Sequence, residues 1–171
     1  VAGVTSADLL VDAFDRIRDT VADVVDGLTP EQLAFRVQDS ANSIAWLVWH
    51  LTRVQDDHLA DAADREQVWT ADDWAGRFAL PFAASSTGYG HRPAQVAKVT
   101  ATADLLVGYH EAVHARTVGY VRGLDDRSLA EIVDESWQPP VTLGVRLISV
   151  IADDLQHVGQ AAYVRGLLPR R

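Results

Sequence analysis

The sequence predicts an all-α fold, a four-helix bundle whose second and third helices are joined by a long crossover. Three observations carry that prediction. Four long segments place apolar residues at helical spacing, no stretch shows sustained strand alternation, and the excursion between the second and third segments is too long for a bare connector. At 171 residues the chain has the size of one domain that can bury a core without staples.

The first helix is expected over about 5–27, with Leu9, Leu10, Ala13, Ile17, Val21, Val24 and Val25 as its apolar stripe. Thr5 or Ser6 followed by Asp8 reads as its start and Gly27 as its stop. TPEQL then opens a short helix, with Thr29 as N-cap, Pro30 in the first helical position and Glu31 in the first turn. The second long helix is expected over about 43–64, the third over about 102–123 and the fourth over about 142–168. Between the second and third, a short helix is expected at 70–78, and PFAASSTGYGHRP is rich in turn formers; loops of this length cover a site or an interface. DESWQPP is a second irregular link, with Pro140 just before the last helix.

Composition narrows the chemistry. Zero cysteines exclude disulfides, thiolate metal sites and cysteine nucleophiles, so a metal here sits on His, Asp or Glu. A formal charge of −9 argues against nucleic acid, which needs a basic footprint. No apolar run reaches the length of a membrane span, and the first residues lack a basic stretch followed by an apolar one, so a cytoplasmic location is expected.

The most recognisable string is HEAVH (110–114), a literal match to the H-E-x-x-H pattern of zinc proteases. On a helical wheel, His110 falls about 60° and His114 about 100° from the centre of the stripe formed by Leu106, Tyr109, Val113, Tyr120 and Leu124, while Glu111 points about 160° away. Glu131 or Glu135 would have to serve as third ligand, and no strand is expected to hold a peptide. The string therefore reads as two boundary histidines on an amphipathic helix.

On the second helix, Ile44, Leu47, Leu51, Val54 and His58 share one stripe, which makes His58 a hydrogen-bonded core residue. His50 lies at the edge of that stripe beside Trp46, Arg53 and Asp57, about 12 Å from His58 along the axis. On the fourth helix, Asp153 and His157 are spaced i, i+4 and so stack on one face, with Gln160 on the next turn. Asp154, at i, i+3 to His157, is the other carboxylate on offer. These groups interrupt an otherwise apolar helix and need partners, which a metal shared with His50 would supply.

WHL (49–51) on the second helix, the crossover, and HVGQ (157–160) followed by AAYVRGLL together resemble the DinB-like/YfiT-like metal-dependent superfamily over nearly the whole chain. The resemblance implies a four-helix bundle in which one histidine of the second helix and two residues of the fourth hold a divalent metal. The fourth-helix pair is commonly H-x-x-x-H, whereas Asp153 stands first here, as in the mycothiol-dependent maleylpyruvate isomerase branch. Carried over, the implied ligands are His50, Asp153 and His157, holding zinc, or else nickel or iron, with open positions for water or substrate.

The implied function is S-transfer from a low-molecular-weight thiol such as mycothiol or bacillithiol to a small-molecule substrate; a hydrolase and a non-catalytic metal-stabilised bundle are the alternatives. Trp46, Trp49, Arg53, Asp57 and Gln160 are expected at the rim, Arg53 as a carboxylate anchor; in the non-catalytic alternative, a metal-stabilised dimer or a binding module for a hydrophobic ligand, Trp69, Trp74 and Trp137 would line a pocket or partner surface. A homodimer through bundle helices is a further expectation of the resemblance.

Overall fold

Capping residues set where the helices begin in the computed structural model, which describes residues 3–168. Thr5 opens α1 (Ser6–Val25) with a capping box: its hydroxyl accepts the Asp8 N–H while the Asp8 carboxylate accepts its own N–H. Gly27 follows the helix at φ +67°, in the left-handed region glycine enters without strain. Thr29 and Pro30 start the short α2 (Pro30–Leu33), and Ser43 caps α3 (Ile44–Ala62). The crossover carries three short helices, α4 (Val68–Ala71), α5 (Trp74–Phe78) and α6 (Pro93–Val96). Thr102 caps α7 (Ala103–Val121), Asp125 caps α8 (Asp126–Leu129), and after β1 (Ile132–Asp134) and β2 (Val141–Thr142), Thr142 caps α9 (Leu143–Gly166).

The all-α bundle is the observed architecture. α1 packs on α7 and α9, and α3 packs on α9 and α7, so α1 and α3 stand at opposite corners. Phe14, Ile17 and Val21 of α1 meet Leu47 and Leu51 of α3, Leu106 and Val113 of α7, and Leu147, Val150 and Val158 of α9 in one buried cluster. Burying each such side chain contributes about 1.5–3 kcal/mol, an upper figure because the unfolded chain already hides some surface. No described helix is long and apolar enough to cross a membrane.

α3 differs from the other long helices. Of its 19 residues 14 are buried, because the crossover lies over the face that the bundle leaves open. Polar α3 side chains hold that cover down. Asp56 accepts the N–H groups of Val68 and Trp69 at 2.9 and 2.8 Å and the Tyr109 hydroxyl at 2.8 Å. Arg53, wholly buried, donates to the carbonyls of Ser86 and Ala84, to the Gln67 side chain and to the Tyr109 oxygen, with its guanidinium 4.9 Å from the centre of the Trp69 ring.

Two local expectations need correction. The single helix expected at 70–78 is two turns, α4 and α5, separated where Asp73 adopts φ +55°. The absence of strands also fails: β1 and β2 pair antiparallel, Ile132 opposite Thr142. Strands of three and two residues with a register irregularity are too short to show alternation in sequence.

Candidate metal centre

His50 from α3 and Asp153 and His157 from α9 converge across the seam between the two helices. One donor atom from each lies within 4.8 Å of the others, and among the described residues this is the one cluster of three or more such groups. His50 is buried, while Asp153 and His157 are half-buried. The imidazole centroids of His50 and His157 are 4.8 Å apart, edge to face.

Local hydrogen bonds decide which ring nitrogen is free. His50 Nδ1 lies 2.6 Å from the Thr87 carbonyl, and His157 Nδ1 lies 2.8 Å from the Asp153 main-chain carbonyl. A carbonyl only accepts, so both Nδ1 atoms carry hydrogen and both Nε2 atoms are left as ligands, the arrangement that orients metal-binding histidines. Asp153 Oδ2 is buried without a hydrogen-bond partner, although it lies 3.4 Å from His157 Nδ1. An orphaned carboxylate oxygen beside two free imidazole nitrogens fits a divalent cation.

The electrostatics agree with that donor set. Burial pushes the His50 imidazole below its ordinary value, so it stays neutral, with the Thr87 carbonyl opposing and His157 adding to the depression. Burial also works to raise the Asp153 carboxyl, but contact with His157 and the nearby imidazoles hold it below its usual range, ionised. The adjacent Asp153 carboxylate raises His157 above its ordinary value, against the opposing effect of burial. Asp154, left open by spacing, points elsewhere: it is wholly buried, neither oxygen has a partner, and burial drives its carboxyl well above the usual range.

The crossover forms one wall of the site. Trp46 stacks on His50 at 4.5 Å, 18° from parallel, and its indole N–H donates to His91 Nδ1 at 3.2 Å. His91 in turn reaches Ser86 Oγ through Nε2 at 3.1 Å and stacks on Trp49. Gly88 sits at φ +93° against this group, and a Cβ there would meet the Trp49 ring at 2.8 Å and His50 Nδ1 at 2.9 Å. His91, Gly88 and the Thr87 carbonyl escape sequence reasoning because nothing in helical spacing links them to His50. The turn-rich TGYGH, in a loop too long for a connector, is the signal that could have found them.

Expected rim residues are placed unevenly. Gln160 is exposed and lines a groove of about 240 Å³ with Gln38, Asn42, Leu47 and Tyr163, one turn from the ligands on both helices. Trp46 packs against the candidate ligands but is buried, and so is Trp49. Arg53 is no carboxylate anchor: its guanidinium is spent on the crossover, and Asp57 joins it by accepting from Gln67 at 2.7 Å. His58 is not a core histidine. It is half-buried, takes a hydrogen bond from Arg146 at 2.8 Å, and lines a second groove at the other end of the seam.

HEAVH scatters. His110 is 1% exposed and its Nδ1 lies 3.0 Å from Thr52 Oγ1 on α3, while His114 Nε2 lies 2.8 Å from Asp15 Oδ1 on α1. Both histidines are buried, a correction to their boundary placement on the wheel, which omitted α1 and α3 pressing on either side. Glu111 is exposed, as its angle on the wheel implied.

Comparison with known proteins adds two similarities. A family model described as mycothiol-S-transferase matches residues 9–169. A crystal structure described as the conserved protein of locus from Enterococcus faecalis superposes with a TM-score of 0.90 at 29% identity, covering 97% of this chain and 98% of that one. No curated protein matches the sequence.

Proposed function

The chain belongs to the mycothiol S-transferase family, and from that premise we propose that it joins a small thiol through its sulfur to an electrophilic small molecule at a divalent metal held by His50, Asp153 and His157. The observation that carries this reading is the convergence of the three donors, with both Nδ1–H groups spent on carbonyls and one carboxylate oxygen orphaned. Two imidazoles and a carboxylate with room for a further ligand form the donor set of catalytic zinc, which supports zinc as the ion. A divalent ion there supplies the positive charge that lowers a thiol's pKa toward neutrality.

This chain's own residues do the rest. His50, clamped between the Trp46 ring and the Thr87 carbonyl, keeps one orientation. Trp46 and the crossover exclude water from one side of the site, which strengthens charge interactions inside it. The reaction forms a sulfur–carbon bond as the leaving group departs with its bonding electrons; the thiol proton ends on solvent or on the leaving group. A homodimer is part of the proposal. The exposed positions of α9 carry no charge in a chain that is 23% charged, and Val145, Ile148, Ala152, Leu155, Gly159 and Ala162 repeat along it at alternating three- and four-residue steps.

The test is to purify the protein without a histidine tag, measure bound metal, and assay conjugation of mycothiol to a fluorogenic alkylating agent. One zinc per chain and turnover that Asp153→Ala abolishes are expected. A protein that retains stoichiometric metal in Asp153→Ala, or shows no conjugation with zinc bound, contradicts the reading.

A further inference from the structure

The seam between α3 and α9 continues past the metal donors into a groove of about 440 Å³, lined by His58, Asp134, Trp137, Val141, Arg146 and Ser149. We propose that this groove holds the polyhydroxylated, sugar-bearing end of the thiol cosubstrate, with Trp137 as its stacking platform; the inference rests on the S-transferase reading above.

Position comes first. Ser149 precedes Asp153 by one turn of α9 and Arg146 by about two, which places them roughly 6 and 10 Å along the axis from that donor. On α3, His58 lies two turns beyond His50 in the same direction, because His50 meets His157 and His58 meets Arg146. Mycothiol carries its sulfur on a cysteinyl group joined by an amide to an amino sugar, itself linked to inositol. That arm of about 6 Å reaches from the donors to the near end of the groove.

The groove's chemistry selects the ligand class. Arg146 is already committed, donating to Asp134 at 2.8 Å and to His58 Nδ1 at 2.8 Å. An anion would compete with Asp134 for it and would face Asp57, Asp61 and Asp153, all of which act on His58. What the groove offers is His58 Nε2–H as donor and, as acceptors, the lone pairs of Ser149 Oγ, whose own hydrogen goes to the Val145 carbonyl. Trp137, 65% exposed, adds a bare aromatic face and an indole N–H. Donor, acceptor and aromatic face together match hydroxyl groups and the C–H face of a sugar ring. The uncharged groove at Leu47 and Gln160, on the far side of the donors, is left for the electrophile.

The test compares mycothiol with N-acetylcysteine, a thiol without the sugar, in the wild type, Trp137→Ala and Trp137→Phe. Trp137→Ala is expected to raise KM for mycothiol about tenfold while kcat, bound metal and both constants for N-acetylcysteine stay within twofold; Trp137→Phe recovers most of the loss. Thiol-free glucosaminyl-inositol competes with mycothiol in the wild type and about tenfold less well in Trp137→Ala. Equal effects on both thiols, or none on either, overturn the assignment. Where neither thiol is turned over, the S-transferase reading fails by itself, and tryptophan fluorescence titrated with glucosaminyl-inositol decides the groove: a response lost in Trp137→Ala upholds it, and no response in the wild type overturns it.

Discussion

Two places in this molecule bring histidines together with acidic residues, and they are used in opposite ways. On α7, HEAVH puts two histidines and a glutamate within five residues, yet the fold turns His110 toward Thr52, His114 toward Asp15 and Glu111 outward. On the α3–α9 seam, His50 and His157 lie more than a hundred residues apart in sequence and come to rest with ring centroids 4.8 Å apart. In the first place each histidine is paired with a neighbouring helix and ties the bundle together. In the second the Nδ1 atoms are tied to main-chain oxygens and the remaining donors face one another. Proximity along the chain is a poor guide to a shared ligand: His110 and His114, four apart, turn to α3 and α1, whereas Asp153 and His157 at the same spacing meet His50 at one seam.

The largest effect that could break this comparison is on metal affinity. His50→Ala and His157→Ala should each weaken zinc binding more than a thousandfold in a competition titration, because each removes one of only three protein ligands. His110→Ala and His114→Ala should leave it within about twofold. A loss of zinc in His110→Ala comparable to that in His50→Ala would reverse the roles assigned to the two places.

A smaller effect sharpens the role of the crossover. Gly88→Ala should lower zinc affinity about 10–100-fold, since the new methyl group has to displace the Trp49 ring or His50 from a residue already at φ +93°. Gly90→Ala is the control: it also has positive φ, at +73°, but nothing lies within 4 Å of its added carbon. Equal losses in both variants would mean that backbone strain, and not contact with His50, is responsible.

The smallest effect reads the α7 side. Burial lowers His110 from 6.5 to about 3, with His114 and Arg18 contributing, so the folded protein holds it neutral. The unfolded chain takes up that proton first as pH falls. Stability from this group is therefore complete above about 6.5 and declines by about 1.4 kcal/mol per pH unit toward 3. Urea unfolding of the metal-free protein at pH 6.5 and 5 should show a drop about 2 kcal/mol smaller in His110→Gln than in wild type. Matching drops would mean that His110 takes up its proton without resistance in the fold.

Much of the fold is legible in sequence because it rests on local chemistry. Thr5, Thr29, Ser43, Thr102 and Thr142 each accept the amide three residues on, and each marks a helix start the sequence signals. Less of the site is legible. Asp153 and Asp154 are neighbours of one type, and only the packing of α9 turns Asp153 to the seam and Asp154 into the core. Arg53 beside His50 resembles a rim residue until the crossover is in place, because two of its four hydrogen-bond partners are the main-chain oxygens of Ala84 and Ser86, which no side-chain pattern encodes. His58 misleads for the same reason: its stripe on α3 is apolar, but its partner Arg146 arrives from α9.

The Asp56 carboxylate has a consequence for how the crossover exchanges with solvent. It holds the amide hydrogens of Val68 and Trp69 from inside the bundle, together with the Tyr109 hydroxyl of another helix. Those two amides open to water only when α4 lifts away from Asp56, so their deuterium uptake is expected to be slower than that of the crossover's amides that have no buried acceptor. The segment that looks most like a connector thus carries two amides protected from within the bundle.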